Sequence, residues 1–515
     1  MAPLAITSGW KRQKSSSPGA DLVNKLRELF SDTLIFGFSS VVARFMNYLL
    51  VPFHTDAFNP ARYSIVALAY AALTFLNVIV QMGMESAYLR YAEDRKEASN
   101  IFKTIQITLL VTSSLIVLIL WLLMPAALSQ MNLDSDTSAI FVMMLGILWF
   151  DTLAIVPLAE LRLVRKSIQF AVFKILNVII NVGLNFYLIL ALNFGIEAVF
   201  IANLAASALL TIIVWVYTAE HWQGNWKREW LGTIFRFGLP FIPAGLGHAI
   251  NEMIDRFLLN NMDPAVSQRL YGDGVTPEDV VGIYSACYKL AVFMLLIVQM
   301  YRMAWQPFFM RHSRDDDASK TFSQAFIFFN AFAAPAYLAV SLFRYQIVAI
   351  EIPGVGWTLI NSSYWAGIEI VPLLLMAYWF QGWYINFSSG IFIKEKTSVL
   401  YKITLLGAAI TLGVNILLIP VFGMMGSAAA TLISYAVMAF VLGIYSKNVM
   451  KVAYHIPATF CLMGACMALI YLQPAFSSVP GIGELTGKIV FLLGGLLLSG
   501  LYLWWFVFRE RNTLQ

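Results

Sequence analysis

Charge and cysteine are what this 515-residue chain has least of. Charged residues make up 12% of it, while 59% is hydrophobic, 14% aromatic and the mean hydropathy is +0.73. Soluble globular domains carry roughly twice that charge, about 25%, so a soluble domain is excluded and a polytopic membrane protein is expected. The three cysteines, Cys287, Cys461 and Cys466, sit in apolar runs without metal-like spacing. Neither a disulfide framework nor a metal site is indicated, and the thiols read as small packing residues. A Gly-rich phosphate loop followed by Lys-Ser/Thr, a metal-spaced His/Cys set and a nucleophile elbow are all missing, so no catalytic residue, metal or cofactor is assigned. Residues 1–20 lack an apolar core with a cleavage site, which reads as a short cytoplasmic extension rather than a signal peptide.

What the chain has is apolar runs of spanning length. Windows at 31–53, 62–84, 102–124, 138–159, 170–192, 196–217, 235–259, 281–305, 321–343, 367–390, 398–419, 425–446, 456–472 and 487–508 give about fourteen helices. Orientation tests the count, because Lys and Arg accumulate in cytoplasmic loops. With residue 1 inside, 25 Lys and Arg fall on the inner side and only Arg62, Arg269 and Arg344 in outer loops. A miscounted helix would mix the two sets. A multi-pass protein with both termini cytoplasmic is expected.

Internal repetition divides the chain. The stretch NVGLNFYLILALNFGIEAVFIANLAA (181–206) resembles TLGVNILLIPVFGMMGSAAATLISYA (411–436), aligning Asn185 with Asn415 and Phe194-Gly195 with Phe422-Gly423. The offset of six helices predicts two six-helix units of the same orientation, with two helices appended. The expected boundaries are an arm at 1–30, a first lobe at 31–217, a linker at 218–234, a second lobe at 235–446 and a C-terminal part at 447–515. In DLVNKLRELF, Leu22, Leu26, Leu29 and Phe30 share one helical face; this segment and the linker GNWKREWLGTIFRFG read as interfacial amphipathic helices.

Ionisable residues inside spans are costly and face protein or a hydrated cavity. In HAINEMIDRFLL, His248, Glu252, Asp255 and Arg256 share one face of helix seven. Helix five stacks Lys174, Asn177, Asn181 and Asn185, helix one groups Arg44 and Asn47, helix two carries Asn77, Gln81 and Glu85, and helix eight adds Tyr284, Tyr288 and Lys289. Polar faces from both units imply a shared hydrated interior. The competing reading of Glu252, Asp255 and Arg256 is internal neutralisation, in which an acid pairs with Arg256 or Lys289 to hold helices seven and eight together. Lys174 has its own competing reading, snorkelling to an interface. A basic cavity would take an anion, and guanidinium suits phosphate. Transport, rather than ATP-driven chemistry, is the expected class; no nucleic-acid partner is indicated and a monomer is expected.

The stretches IDRFLL, VGIYSACYKLA (281–291), MYRMAWQPFF (300–309), GMESAYLRYAED (83–94) and FGLP resemble the Wzx-like polysaccharide flippases of the multidrug/oligosaccharidyl-lipid/polysaccharide exporter superfamily. The resemblance implies two six-helix lobes in a V around a central cavity. It also implies alternating access for an undecaprenyl-diphosphate-linked oligosaccharide crossing the bacterial inner membrane. Arg44, Lys174, Arg256 and Lys289 would then hold the diphosphate. Asn47, Asn77, Gln81, Asn177, Asn181, Tyr284 and Tyr288 would meet sugar hydroxyls, and Glu85, Glu252 and Asp255 would pair charges or couple H+ or Na+. Membrane lipid and polysaccharide-assembly proteins would be the partners. A cation-coupled multidrug antiporter and a peptidoglycan-precursor flippase are the nearest alternatives. A polymerase or ligase ranks lower, since the largest outer loops are only about twenty residues, too short for a catalytic domain.

Overall fold

The computed structural model describes residues 50–130, 135–478 and 483–508. Arg44, Asn47, the N-terminal arm and most of the first expected span lie outside them. The described residues are helical throughout, with a single isolated antiparallel bridge, Glu351 to Thr358.

The first lobe begins with α1 (Leu50–Ala57) and α2 (Pro60–Gln81). Asn59 caps α2, accepting from the Arg62 N–H at 2.9 Å, and Pro60 occupies the first turn, where its missing N–H costs nothing. The expected second span is not one rod. It breaks after Gln81, where Met82 and Gly83 have φ of 48° and 67°, and resumes as α3 (Met84–Tyr91). Then follow α4 (Ala98–Gln130), α5 (Ser135–Leu163), α6 (Ser167–Phe186) and α7 (Glu197–Tyr217). The linker carries α8 (Arg228–Gly238), whose Ile234 and Gly238 are buried against α3, α4 and α9 while Arg228, Glu229 and Arg236 stay exposed.

The second lobe comprises α9 (Phe241–Asn260), α10 (Pro264–Tyr271), α11 (Pro277–His312), α12 (Ala318–Leu342), α13 (Arg344–Val348), α14 (Val371–Phe387), α15 (Ser389–Ile393) and α16 (Ser398–Val449). A capping box, Thr276 with Asp279, starts α11, and acids in its first turn with Arg311 and His312 in its last complement the helix dipole. The long α16 is two spans joined at Gly423, whose φ of 55° turns the chain while the Tyr271 hydroxyl accepts from the Met424 N–H at 2.7 Å. Finally α17 (Ile456–Ser477) and α18 (Glu484–Leu503) pack on α12.

Twelve described helices are long and apolar enough to cross a membrane. The two expected spans beyond these are the first, largely outside the described residues, and α9, which carries Glu252, Asp255 and Arg256 close together in its second half. The chain is therefore a multi-pass membrane protein.

The helices pack in two groups, α2–α7 and α9–α16, which meet where α2 runs against α9 and α11. The two asparagines aligned by the sequence repeat sit alike in their helices. Asn185 and Asn415 are both fully buried, and each donates from Nδ2 to the carbonyl four residues earlier, Asn181 at 2.8 Å and Thr411 at 2.7 Å. At the end opposite the basic loops the groups are tied together. Tyr364 donates to the Phe58 carbonyl at 2.7 Å, the Asn361 N–H donates to Thr55 at 3.3 Å, and Trp357 stacks with Phe186 and meets Phe53 in a tilted contact.

Candidate functional site

The acid and base pair of α9 forms a closed network inside the second lobe. Arg256 is 6% exposed and Asp255 3%. The guanidinium donates to Asp255 Oδ1 at 2.6 Å and to the Glu252 carbonyl at 2.5 Å, and lies over the Tyr288 ring, 4.4 Å from its centroid. Asp255 Oδ2 accepts from Tyr284 at 2.7 Å. Around Glu252, Tyr435 donates to one carboxylate oxygen and Tyr378 to the other at 3.3 Å. Tyr288 and Tyr378 share a hydrogen bond of 2.6 Å. Thus Arg256 is buried and paired with Asp255 in this conformation, and it does not line the neighbouring cavity.

Beside this network lies a cavity of about 460 Å³. One stripe of α11, Leu295, Gln299, Arg302, Gln306 and Phe309, lines one wall at helical spacing. From α9 come His248, Asn251 and Glu252; from α14–α16 come Gln381, Tyr384, Ser388, Thr404 and Tyr435. Phe309, Phe392 and Leu400 place it in the half nearer the basic loops. Asn251 fixes the α9 wall: its Oδ1 accepts from Thr411 at 2.8 Å and from Ser434 at 3.3 Å. Arg302 is exposed and makes no hydrogen bond or ion pair with the described residues. Two buried polar atoms of the lining residues lack hydrogen-bond partners among the described residues, the Trp305 indole N–H and Gln381 Oε1. Gln381 Nε2, by contrast, donates to the Tyr435 hydroxyl at 3.4 Å.

The remaining expected site residues are dispersed. Glu85 pairs with Arg162, Gln81 donates to Asn77 at 3.1 Å, and Asn181 is engaged by Asn185. Lys174 lies within electrostatic reach of Asp151 on α5, so helix five's cation faces an acid of a neighbouring helix that spacing along one helix does not reveal. Asn177 is half-buried on the same helix. Lys289 is exposed in a separate apolar groove of about 240 Å³ with Val51, Pro52, Phe293 and Ile360. Among the described cations, therefore, Lys289 lies within electrostatic reach of Arg256, while Lys174 sits beside Asp151 in the first lobe. Arg302, Gln306, Gln381 and Tyr435 are the cavity groups sequence reasoning missed. The signal existed for Arg302 and Gln306: with Gln299 they repeat at three and four residues through MYRMAWQPFF.

The basic end of the first lobe is pinned by a second cluster. Glu160 is buried and accepts from Arg95 at 2.6 and 3.0 Å and from Tyr88 at 2.6 Å, with His221 Nε2 at 3.1 Å. The hydrogen bond to Glu160 raises the Arg95 guanidinium. Gly83 and Gly238 approach so closely that a Cβ on Gly83 would come within 2.5 Å of the Gly238 carbonyl oxygen. The motifs GMESAYLRYAED and FGLP thus meet as backbone against backbone.

A sequence model of the family described as "Polysaccharide biosynthesis protein" matches residues 29–313. Among curated proteins no sequence matches the chain. Solved structures do. An outward-facing multidrug resistance MATE family transporter of the MOP superfamily superposes with a TM-score of 0.58 at 15% identity, covering 84% of this chain and 98% of that one. An inward-facing one gives 0.61 at 17%, covering 79% and 94%. A MOP superfamily transporter from Pyrococcus furiosus, whose binding pocket has reverse polarity, gives 0.54 at 15%, covering 84% and 98%. At these identities the likeness is one of fold.

Proposed function

Because the chain belongs to the polysaccharide biosynthesis protein family and has the fold of MOP superfamily transporters, we propose that it moves an undecaprenyl-diphosphate-linked oligosaccharide from the cytoplasmic to the outer leaflet of a bacterial inner membrane. The observation that carries the reading is the lining of the second-lobe cavity. Its acid, Glu252, is held by two tyrosines, its Arg302 is unpaired among the described residues, and the rest is amide, hydroxyl and aromatic. Such a wall suits a hydroxyl-rich headgroup bearing an anion better than a lipophilic cation, which needs an unshielded carboxylate.

The basic loops face the cytoplasm, so the cavity opens inward while the contacts of Tyr364, Asn361 and Trp357 close the outer end. The prenyl chain stays in the bilayer and only the headgroup passes between the lobes. Arg302 takes over the diphosphate role first given to Arg256. Moving two negative charges outward, down an inside-negative potential of about 100 mV, releases about 4 to 5 kcal/mol, enough to bias direction without ATP.

The test is translocation of a fluorescent polyprenyl-diphosphate glycan in proteoliposomes. Arg302→Ala is expected to lose at least about tenfold in rate, the worth of a charge-assisted hydrogen bond, with no change in Tm. Full transport by folded Arg302→Ala sinks the anion role. Wild-type transport that requires a Na+ or H+ gradient favours the coupled exporter instead, with Glu252 as its carboxylate.

A further inference from the structure

We propose that a lateral groove between α16 and the start of α17 binds one anionic phospholipid of the cytoplasmic leaflet, separately from the second-lobe cavity and whatever cargo that cavity takes. The groove encloses about 430 Å³. One stripe of α16 supplies a long wall: Phe440, Ile444 and Lys447 follow at intervals of four and three residues, on one helical face. Phe387 at the end of α14 and residues 452–457 supply the rest. The segment ahead of α17 is held from behind. Ser319 and Ser323 of α12 donate to the Lys451 and Ala453 carbonyls, the Tyr454 ring packs edge-on to Phe326 and Phe387, and the His455 ring meets Phe506 at 4.6 Å. Lys447 is exposed, and neither its ammonium nor the His455 ring nitrogens make a hydrogen bond or ion pair with a described residue.

Direction and charge select the occupant. The second half of α16 runs from the Gly423 turn toward the basic loop of Lys447 and Lys451, so Phe440 lies deeper in the bilayer and Lys447 at the cytoplasmic interface. At 1.5 Å per residue the two stand about 10 Å apart along the axis, with Ile444 between them. An inner-leaflet phospholipid has the same order, phosphate at the surface and acyl chain beneath. The lining residues include a lysine and an imidazole but no Asp or Glu. A phosphodiester therefore accepts a charge-assisted hydrogen bond from Lys447 and a further one from the His455 N–H. A choline headgroup would set a second cation beside Lys447 with no carboxylate to receive it, so the net charge of the lipid is the basis of selection. The diphosphate of a polyprenyl lipid holds more negative charge than one lysine neutralises. Free phosphate would leave the apolar wall uncovered, whereas Phe440, stacked on Phe460 with rings 9° from parallel, offers an acyl chain a rigid surface.

The experiment titrates the full chain in detergent with dioleoyl phosphatidylglycerol, dioleoyl phosphatidylcholine, glycerol phosphate and undecaprenyl diphosphate, and reads the bound molecule by native mass spectrometry. Phosphatidylglycerol is expected to bind about tenfold more tightly than phosphatidylcholine, the worth of one charge-assisted hydrogen bond. Lys447→Gln is expected to remove that preference without a change in Tm. Lys451→Gln, at an exposed neighbour outside the groove, is expected to keep it whole. Equal binding of the two phospholipids by the wild type overturns the site, as does a preference that survives in folded Lys447→Gln or falls equally in Lys451→Gln. Glycerol phosphate bound as tightly as phosphatidylglycerol overturns the lipid in favour of a free phosphate. Undecaprenyl diphosphate bound more tightly than phosphatidylglycerol, and lost in Lys447→Gln, overturns the phospholipid in favour of a substrate entry point. None of these outcomes bears on translocation by Arg302→Ala, so this proposal and the flippase reading fail separately.

Discussion

Arg256 and Arg302 are both arginines in apolar helices, and their surroundings give them opposite roles. Arg256 is enclosed by Asp255, the Glu252 carbonyl and the Tyr288 ring, whereas Arg302 is exposed in the cavity. Removing one partner of a buried pair strands the other charge, at about 3 to 5 kcal/mol. Asp255→Ala is therefore expected to lower the Tm of the detergent-solubilised protein sharply, with part of the loss recovered in the double variant Asp255→Ala, Arg256→Met, as followed by thermal unfolding. Arg302→Ala, at an exposed position, is expected to move stability by less than about 0.5 kcal/mol. A large Tm loss in Arg302→Ala would assign that residue to structure. Spacing placed Glu252, Asp255 and Arg256 on one face of α9, but it could not say that tyrosines from three other helices close around them.

Elements are bounded by local chemistry and bent by contact. The breaks at Gly83 and Gly423 both need positive φ, and Gly83 also sits against the Gly238 carbonyl. Gly83→Ala is expected to cost more than about 1 kcal/mol, while Gly413→Ala, in a helical segment with open space around it, is expected to be neutral or slightly stabilising; chemical denaturation of the two variants separates them. On the linker, the hydrogen bond from Lys227 to Glu97 at 2.8 Å lowers the carboxyl below its ordinary 4.5 and raises the ammonium above its ordinary 10.5. The acid's contribution is present above 4.5 and lost as pH falls through its lowered folded value; the ammonium's is present below 10.5 and lost as pH rises through its raised one. The small Tm difference between wild type and Lys227→Ala is thus expected to persist at neutral pH and disappear in acid. The repeat offset and the Phe422-Gly423 turn were legible because they are local. The break at Met82-Gly83 was not, because its cause is a backbone 155 residues away.

For the whole molecule, the decisive feature is closure at one end. Thr55 and Asn361 touch across the two lobes at the end opposite the basic loops. A pair of cysteines at these positions, in a chain whose own three cysteines are serine, is expected to form a disulfide that stops translocation, and reductant is expected to restore it. Transport unaffected by the cross-link would mean that this end does not open during the cycle. Trp357, held by Phe186 and Phe53, is the largest side chain in this seal.

Composition and periodicity by themselves determined a helical membrane protein, the expected count of spans, the side on which Lys and Arg collect and the six-helix repeat. Those properties follow from the cost of placing charge and unpaired backbone in hydrocarbon, and that cost is set residue by residue along the chain. Which charges pair was decided only by the tertiary structure. Glu85 pairs with Arg162, Arg256 pairs with Asp255 among tyrosines, and Lys174 has Asp151 of another helix within electrostatic reach. Helical spacing fixes the face a residue occupies but not the helix that face meets. The cavity of Arg302, Trp305 and Gln381 belongs to that second kind of information, since it exists only where α2, α9, α11 and α14–α16 come together.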